Sequence, residues 1–183
     1  MSGAPERDPL RLRGIRRLGK IELSESVGAG AMGHVYRGRH RGLGRQVAVK
    51  VLLDERNERW RRRFQREVQA LARLRHTNLL SIHEAGEEAG LPYLVSEWLE
   101  GQPLDEHLRR VGALDPDDAA RLCLALAQGL AHAHERGVLH RDIKPSNVVL
   151  VPERGPVLLD FGLAKQTELE QSQLTRTGAF AGT

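Results

Sequence analysis

Val27-Gly28-Ala29-Gly30-Ala31-Met32-Gly33-His34-Val35 is the stretch on which the architecture turns. Three glycines at this spacing allow a tight turn whose backbone N–H groups approach a phosphate closely. The residues after Gly33 exclude two familiar phosphate-binding arrangements. A dinucleotide-binding unit needs a helix directly after the third glycine, whereas the run from His34 to Arg39 alternates like a strand and carries its own Gly38. A Walker loop needs Lys-Ser or Lys-Thr after the last glycine, and neither is there. What remains is strand, loop, strand: a flap over phosphates.

Outward from the flap, Ile21 to Val27, His34 to Arg39 and Gln46 to Leu52 are short β-like runs broken by glycine, three strands in meander order. Arg56 to Arg75 carries a helical stripe, with Trp60, Phe64, Leu71 and Leu74 in a narrow arc at about 100° per residue. Leu79 to Glu84 and Tyr93 to Glu97 are two more strand candidates around the turn-like Gly86 to Pro92. After Glu100-Gly101 the pattern becomes helical. A short helix is expected from Leu104 to Arg110, and a longer one from Pro116 to about Glu135, with Asp115 as N-cap, Pro116 at the first position and Gly137 as the stop. Ala119, Leu122, Cys123, Leu126, Leu130 and Ala133 share a face of the long helix, which reads Cys123 as core filler rather than a nucleophile. Val148 to Val151 and Val157 to Leu159 are short buried strands around a turn from Pro152 to Pro156. The segment from Gln166 to Thr183 is polar and contains glycine. Met1 to about Gly19, with Arg11, Arg13, Arg16 and Arg17, shows no periodicity and reads as a solvated basic tail.

The 183 residues carry 28 Lys plus Arg against 24 Asp plus Glu, a net charge of +4, and suit one domain or two small lobes. With 40% hydrophobic and 28% charged residues the composition is globular, and no uncharged run nears the ~18 apolar residues of a membrane span. The polar, Arg-rich start has no apolar core of a secretory signal. A single cysteine, Cys123, excludes an internal disulfide framework and a Cys-based zinc site, so a cytoplasmic setting is expected. Few aromatics and a modest excess of positive charge argue against a nucleic-acid binder.

Lys50 ends Val47-Ala48-Val49-Lys50, where alternation puts Ala48 and Lys50 on one face. Alone, a lysine at a strand end is ordinarily solvated. Glu67 changes that reading, because on the helical wheel it lies about 20° from Trp60 and about 40° from Leu71, within the apolar stripe. A carboxylate turned toward a core costs several kcal/mol unless a cation meets it, and Lys50 is the natural candidate from the adjacent sheet. Further on, the run from His140 to Asn147 offers an acid, Asp142, to take a proton from a hydroxyl, Lys144 for developing phosphate charge, and Asn147 to ligate a metal. Asp160, placed after an apolar strand and followed by Phe161-Gly162, is a reasonable magnesium ligand.

Taken in order, Gly28, Gly30, Gly33 and Val35, then Lys50, Glu67, His140-Arg141-Asp142 with Asn147, and Asp160-Phe161-Gly162 resemble the protein kinase signature set. The resemblance covers about Ile21 to Thr183 and points to a bacterial serine/threonine kinase of the eukaryotic-like type. It implies an α+β, bilobal fold: a five-stranded antiparallel N-lobe sheet with one helix over residues 20–98, and an incomplete, mainly helical C-lobe over 99–183 that ends in the activation segment. Residues 1–19 stay outside the domain. The Ala-Pro-Glu element and the helices that complete the second lobe do not follow Gly182-Thr183, so a C-terminally truncated kinase domain is expected.

By that resemblance the cofactors are ATP and Mg2+, and Val27, Gly28, Ala29, Gly30, Ala31, Met32, Gly33, His34 and Val35 form the flap over the nucleotide. Lys50 holds the α- and β-phosphates and is held by Glu67. Ala48 and Val149 flank the adenine, the connector Glu97-Trp98-Leu99 supplies backbone hydrogen bonds, and Ser96 is a small gatekeeper. Asn147 and Asp160 bind the metal, Asp142 accepts the hydroxyl proton, and Lys144 neutralises the transferring group. Leu71, Ile82, Phe161 and His140 match a stacked column linking the Glu67 helix to the catalytic loop. Arg141 and Lys144-Pro145 favour protein Ser/Thr substrates over small molecules, and Arg141 implies activation by phosphate on Thr175 or Thr177, placed there by another copy of the chain. A catalytically silent nucleotide-binding module and a small-molecule kinase are the competing readings. Related kinases continue into a membrane helix and a sensor domain, so the full-length protein is compatible with membrane anchoring.

Overall fold

In the computed structural model the described residues are 10, 14–30, 33–52 and 58–161. Strands β1 (Arg17–Leu18), β2 (Ile21–Gly30), β3 (Gly33–His40), β4 (Gln46–Val51), β5 (Ile82–Glu88) and β6 (Leu91–Glu97) form one antiparallel sheet in the order β1-β2-β3-β4-β6-β5. Helix α1 (Glu58–Leu71) lies between β4 and β5 in the chain. A second, three-stranded sheet contains β7 (Gln102–Pro103), β8 (Val148–Val151) and β9 (Gly155–Leu158), accompanied by α2 (Leu104–Val111), α3 (Pro116–His134) and a 3-10 turn over Pro145–Asn147.

The first sheet has six strands rather than the expected five. The extra strand comes from the stretch that reads as a solvated tail: Leu18 pairs with Ile21, and Leu10, Leu18 and Ile21 are buried together with Tyr36 and Val47. Apolar residues too few to show a period find a partner only once β2 is in place. The hairpin of β5 and β6 is also longer and tighter than its composition indicates. Gly86 sits within β5 because the Tyr93 ring crosses it, and a β-carbon there would come within 2.5 Å of that ring. Ala89 and Gly90, both with positive φ, make the two-residue turn instead.

Strand alternation builds two apolar layers. Val47, Val49 and Val51 are fully buried on one face of β4, which leaves Ala48 and Lys50 half-buried on the other. Under that second face, Phe64, Val68 and Leu71 of α1 join Leu79, Ile82, Leu94, Ala133, Val148, Leu158 and Phe161 in one cluster that runs into the helical half. Helix α3 starts as anticipated, with the Asp115 carboxylate accepting from the Asp117 N–H at 2.9 Å and Pro116 in the first turn. Its buried residues are Gly129 and Ala133. Cys123 is exposed, against its reading as core filler, because it lies roughly 80–120° around the wheel from these two.

Leu79 packs where α3 comes closest: a β-carbon on Gly129 would stand 3.0 Å from Leu79 Cδ2. Leu79→Ala, at a site 1% exposed, is expected to cost about 2–5 kcal/mol in chemical denaturation. A loss below about 1 kcal/mol would mean that this contact does not join the halves.

Candidate active site

The flap is a hairpin whose register pairs Gly28 with Val35, Ala29 with His34 and Gly30 with Gly33. Gly33 is required twice over. Its φ is 138°, and a β-carbon would fall 2.0 Å from the carbonyl oxygen of Val51. Val35 in turn pairs with Lys50, and Lys50 with Leu94, so flap and lysine occupy one row across the sheet. Ala48 lies between Arg37 and Ser96. His34, on the face opposite Val35, is buried and stacks near Tyr36 with ring centroids 6.2 Å apart. Only its backbone faces the flap interior. Val27 is exposed, Leu99 and Val149 are half-buried, and Ala31, Met32, Gly162, Thr175 and Thr177 lie outside the described residues.

The lower wall is held by His140, buried and in one tautomer. Its Nε2–H donates to the Leu159 carbonyl at 2.5 Å, while Nδ1 accepts the Asp142 backbone N–H at 3.3 Å. Burial pushes the imidazole below its ordinary pKa, against the upward pull of the Leu159 carbonyl and of Asp142 and Asp160. A neutral ring suits both bonds. The Asp142 carboxylate receives Lys144 Nζ at 2.9 Å and Asn147 Nδ2 at 3.2 Å, and Asn147 Nδ2 also donates to the Asp142 carbonyl at 2.7 Å. Acid, lysine and amide thus form one unit. Arg141 and Asp160 adopt positive φ, 63° and 44°, a conformation uncommon for side-chain-bearing residues and concentrated at functional sites.

Lys50 meets Asp160, with Nζ to Oδ2 at 2.7 Å. The expected Lys50–Glu67 pair is therefore not the one formed here. The reason lies in α1. Among its described side chains Phe64, Val68 and Leu71 are buried, and their centre lies roughly 60–70° from Glu67 on the wheel. Glu67 is half-buried. Leu71, Ile82 and Phe161 do share one cluster, and the His140 ring lies 4.8 Å from that of Phe161.

With Asn147 Nδ2 committed to Asp142, the side-chain Oδ1 is the atom left for a cation, and the Asp160 carboxylate is the second oxygen. Two hard oxygen donors that leave the other positions to water and phosphate fit Mg2+. Among the described residues no group of three or more His, Cys, Asp or Glu gathers as a self-sufficient metal cage.

At the connector, Ser96 is buried and its hydroxyl donates to the Glu97 carbonyl at 3.2 Å. The Glu97 side chain is held by Arg154, and the Arg37 guanidinium stands 5.0 Å over the Trp98 ring. Neither arginine stands out in the sequence. Arg154, within Pro152-Glu-Arg-Gly-Pro156, has the signature of an ordinary solvated turn, and only its partners distinguish it.

Among the described residues no helix is long and apolar enough to cross a membrane. The family described as Protein kinase domain matches residues 21–183. Serine/threonine-protein kinase PrkC of Bacillus subtilis is 36% identical over 173 residues, covering 93% of this chain and 26% of its own length. The chain likewise spans about a quarter of the Clostridium perfringens probable serine/threonine-protein kinase CPE1738, at 36% identity. Among solved structures, the kinase domain of Mycobacterium tuberculosis PknI matches with a TM-score of 0.72 and 36% identity, over 80% of this chain and 60% of that one.

Proposed function

The chain belongs to the protein kinase domain family, and on that premise we propose that it transfers the γ-phosphoryl group of ATP to Ser or Thr hydroxyls of proteins. The observation that carries the proposal is the Asp142 carboxylate held between Lys144 and Asn147 within 3.2 Å. Asp142 orients the incoming hydroxyl and takes its proton; Lys144, beside it, offsets charge on the transferring group. Lys50, paired with Val35 beside the flap, holds the α- and β-phosphates in this reading. Asn147 and Asp160 are the residues for Mg2+, which when bound neutralises phosphate charge. The transition state is loose, so positioning and charge are what the chain supplies.

In this reading Lys50 exchanges partners. Asp160 would serve the metal, and Glu67 would take its place at the Lys50 ammonium. The domain spans residues 20–183, the upper lobe ending near Trp98. The Lys50–Asp160 pair is also what favours the rival reading, a nucleotide-binding module that performs no transfer. Incubation with labelled ATP, Mg2+ and a generic protein acceptor separates the two: label on the acceptor is expected, and nucleotide binding without any transfer would overturn the enzymatic reading.

Arg141 beside Asp142 supports regulation by phosphate, with Thr175 and Thr177 as acceptors in trans. Phosphate mapping by mass spectrometry after incubation with ATP is expected to find one of the two occupied. A protein modified elsewhere, with both threonines bare, would sink this part.

A further inference from the structure

Arg154 sits in the three-residue turn joining β8 to β9, between Glu153 and Gly155, both at positive φ. Every guanidinium nitrogen is engaged. Nε donates to the Thr77 carbonyl at 2.7 Å, Nη1 to Glu97 Oε2 at 2.7 Å, and Nη2 to the Leu79 carbonyl and to Glu97 Oε1, both at 3.1 Å. Glu97 is satisfied on its other side, its Oε1 accepting the Ser81 N–H at 2.8 Å and its own N–H donating to the Ser81 carbonyl at 3.0 Å. The two side chains are 24% and 22% exposed. Fork-to-carboxylate geometry with this burial differs from a surface ion pair, which is worth little. Burial pushes the Glu97 carboxyl up, yet the hydrogen bonds from Arg154 and Ser81 outweigh it and hold the group below its ordinary range. The pair is therefore charged at neutral pH.

The segment that Arg154 grips is already fastened to the lower half. Leu80 N–H donates to the Leu158 carbonyl at 3.0 Å, Leu158 N–H to the Asn78 carbonyl at 2.8 Å, and Asn78 Nδ2 to the Pro156 carbonyl at 2.8 Å. What Arg154 adds is a tie to the connector. We propose that Arg154 is a positioning residue for the nucleotide: through Glu97 it fixes the main chain of residues 97–99 relative to β8 and so sets nucleotide affinity from outside the reacting centre. The proposal rests on the kinase reading above and deepens it. Lysine cannot replace the arginine, because a single ammonium cannot reach two carbonyls and both carboxylate oxygens in one plane.

The test compares Arg154→Met, Arg154→Lys and Glu97→Gln in the intact protein, with ADP and Mg2+ titrated calorimetrically and steady-state transfer measured alongside. Arg154→Met is expected to weaken ADP and raise the KM for ATP in parallel, roughly 10-fold, with kcat within about twofold. Arg154→Lys should match it, Glu97→Gln should give a smaller loss, and the Met/Gln double variant should be no worse than Arg154→Met alone. A lowered melting temperature with unchanged ADP affinity would reduce Arg154 to a structural brace and overturn the proposal. Should Arg154→Met not fold, unchanged affinity in folded Glu97→Gln overturns it equally. Wild-type protein that binds no ADP overturns the kinase reading itself, and this proposal with it.

Discussion

Asp142→Asn is expected to lower phosphoryl transfer by roughly a hundred- to ten-thousand-fold, the range set by losing a positioned general base. The carboxamide keeps the shape of the side chain and can still accept from Lys144 or Asn147, but it cannot take a proton. Stability should therefore change little, because the shell that holds the residue, from the His140 ring to the Asn147 amide, stays in place. The measurement is initial-rate transfer from labelled ATP, with a thermal melt on the same samples. Equal rates for variant and wild type would remove Asp142 from the chemistry, whatever the melt shows.

Lys50→Met is the second large effect. Removing a preorganised positive group from developing or resident phosphate charge is expected to cost about 10²- to 10³-fold in turnover. The structure makes the accompanying stability change small. Asp160, the partner left behind, has its side chain 46% exposed and can be solvated without the penalty of a buried orphan. A variant that lost stability heavily while keeping its rate would assign Lys50 to the fold and not to the nucleotide. Together, the two substitutions probe the two walls of the cleft independently.

Period-2 alternation made the upper sheet legible. Val47, Val49 and Val51 against Ala48 and Lys50 fall as the residues alternate, and Gly33 was readable as part of a glycine-rich turn, though not the Val51 carbonyl that excludes a side chain there. The long helix was legible at its start, where Asp115 and Pro116 act through local chemistry that needs no tertiary partner. Its inward face was legible for the most part, with Ala133 buried and Leu122, Leu126 and Leu130 packed on the core; Cys123 falls outside it, and the close approach of Leu79 at Gly129 is not visible on the wheel. Glu67 illustrates the same limit. A stripe judged on Trp60, Phe64 and Leu71 takes in Glu67 and pairs it with Lys50, whereas among the described side chains Phe64, Val68 and Leu71 are the buried ones and Lys50 meets Asp160. β1 and Arg154 depend wholly on residues distant in sequence: a two-residue strand has no period, and an arginine in a proline-flanked turn looks like any other surface charge.

The apolar cluster beneath α1 does not stop at the connector; it runs through Leu79 to Leu158, Ala133 and Phe161. Severing the polypeptide near Glu100 would thus not yield two autonomous pieces. Each would carry half of a shared oily seam into water, so the pieces would be prone to clump rather than refold. The two halves are wedded by their grease, which leaves rocking open to them but not parting.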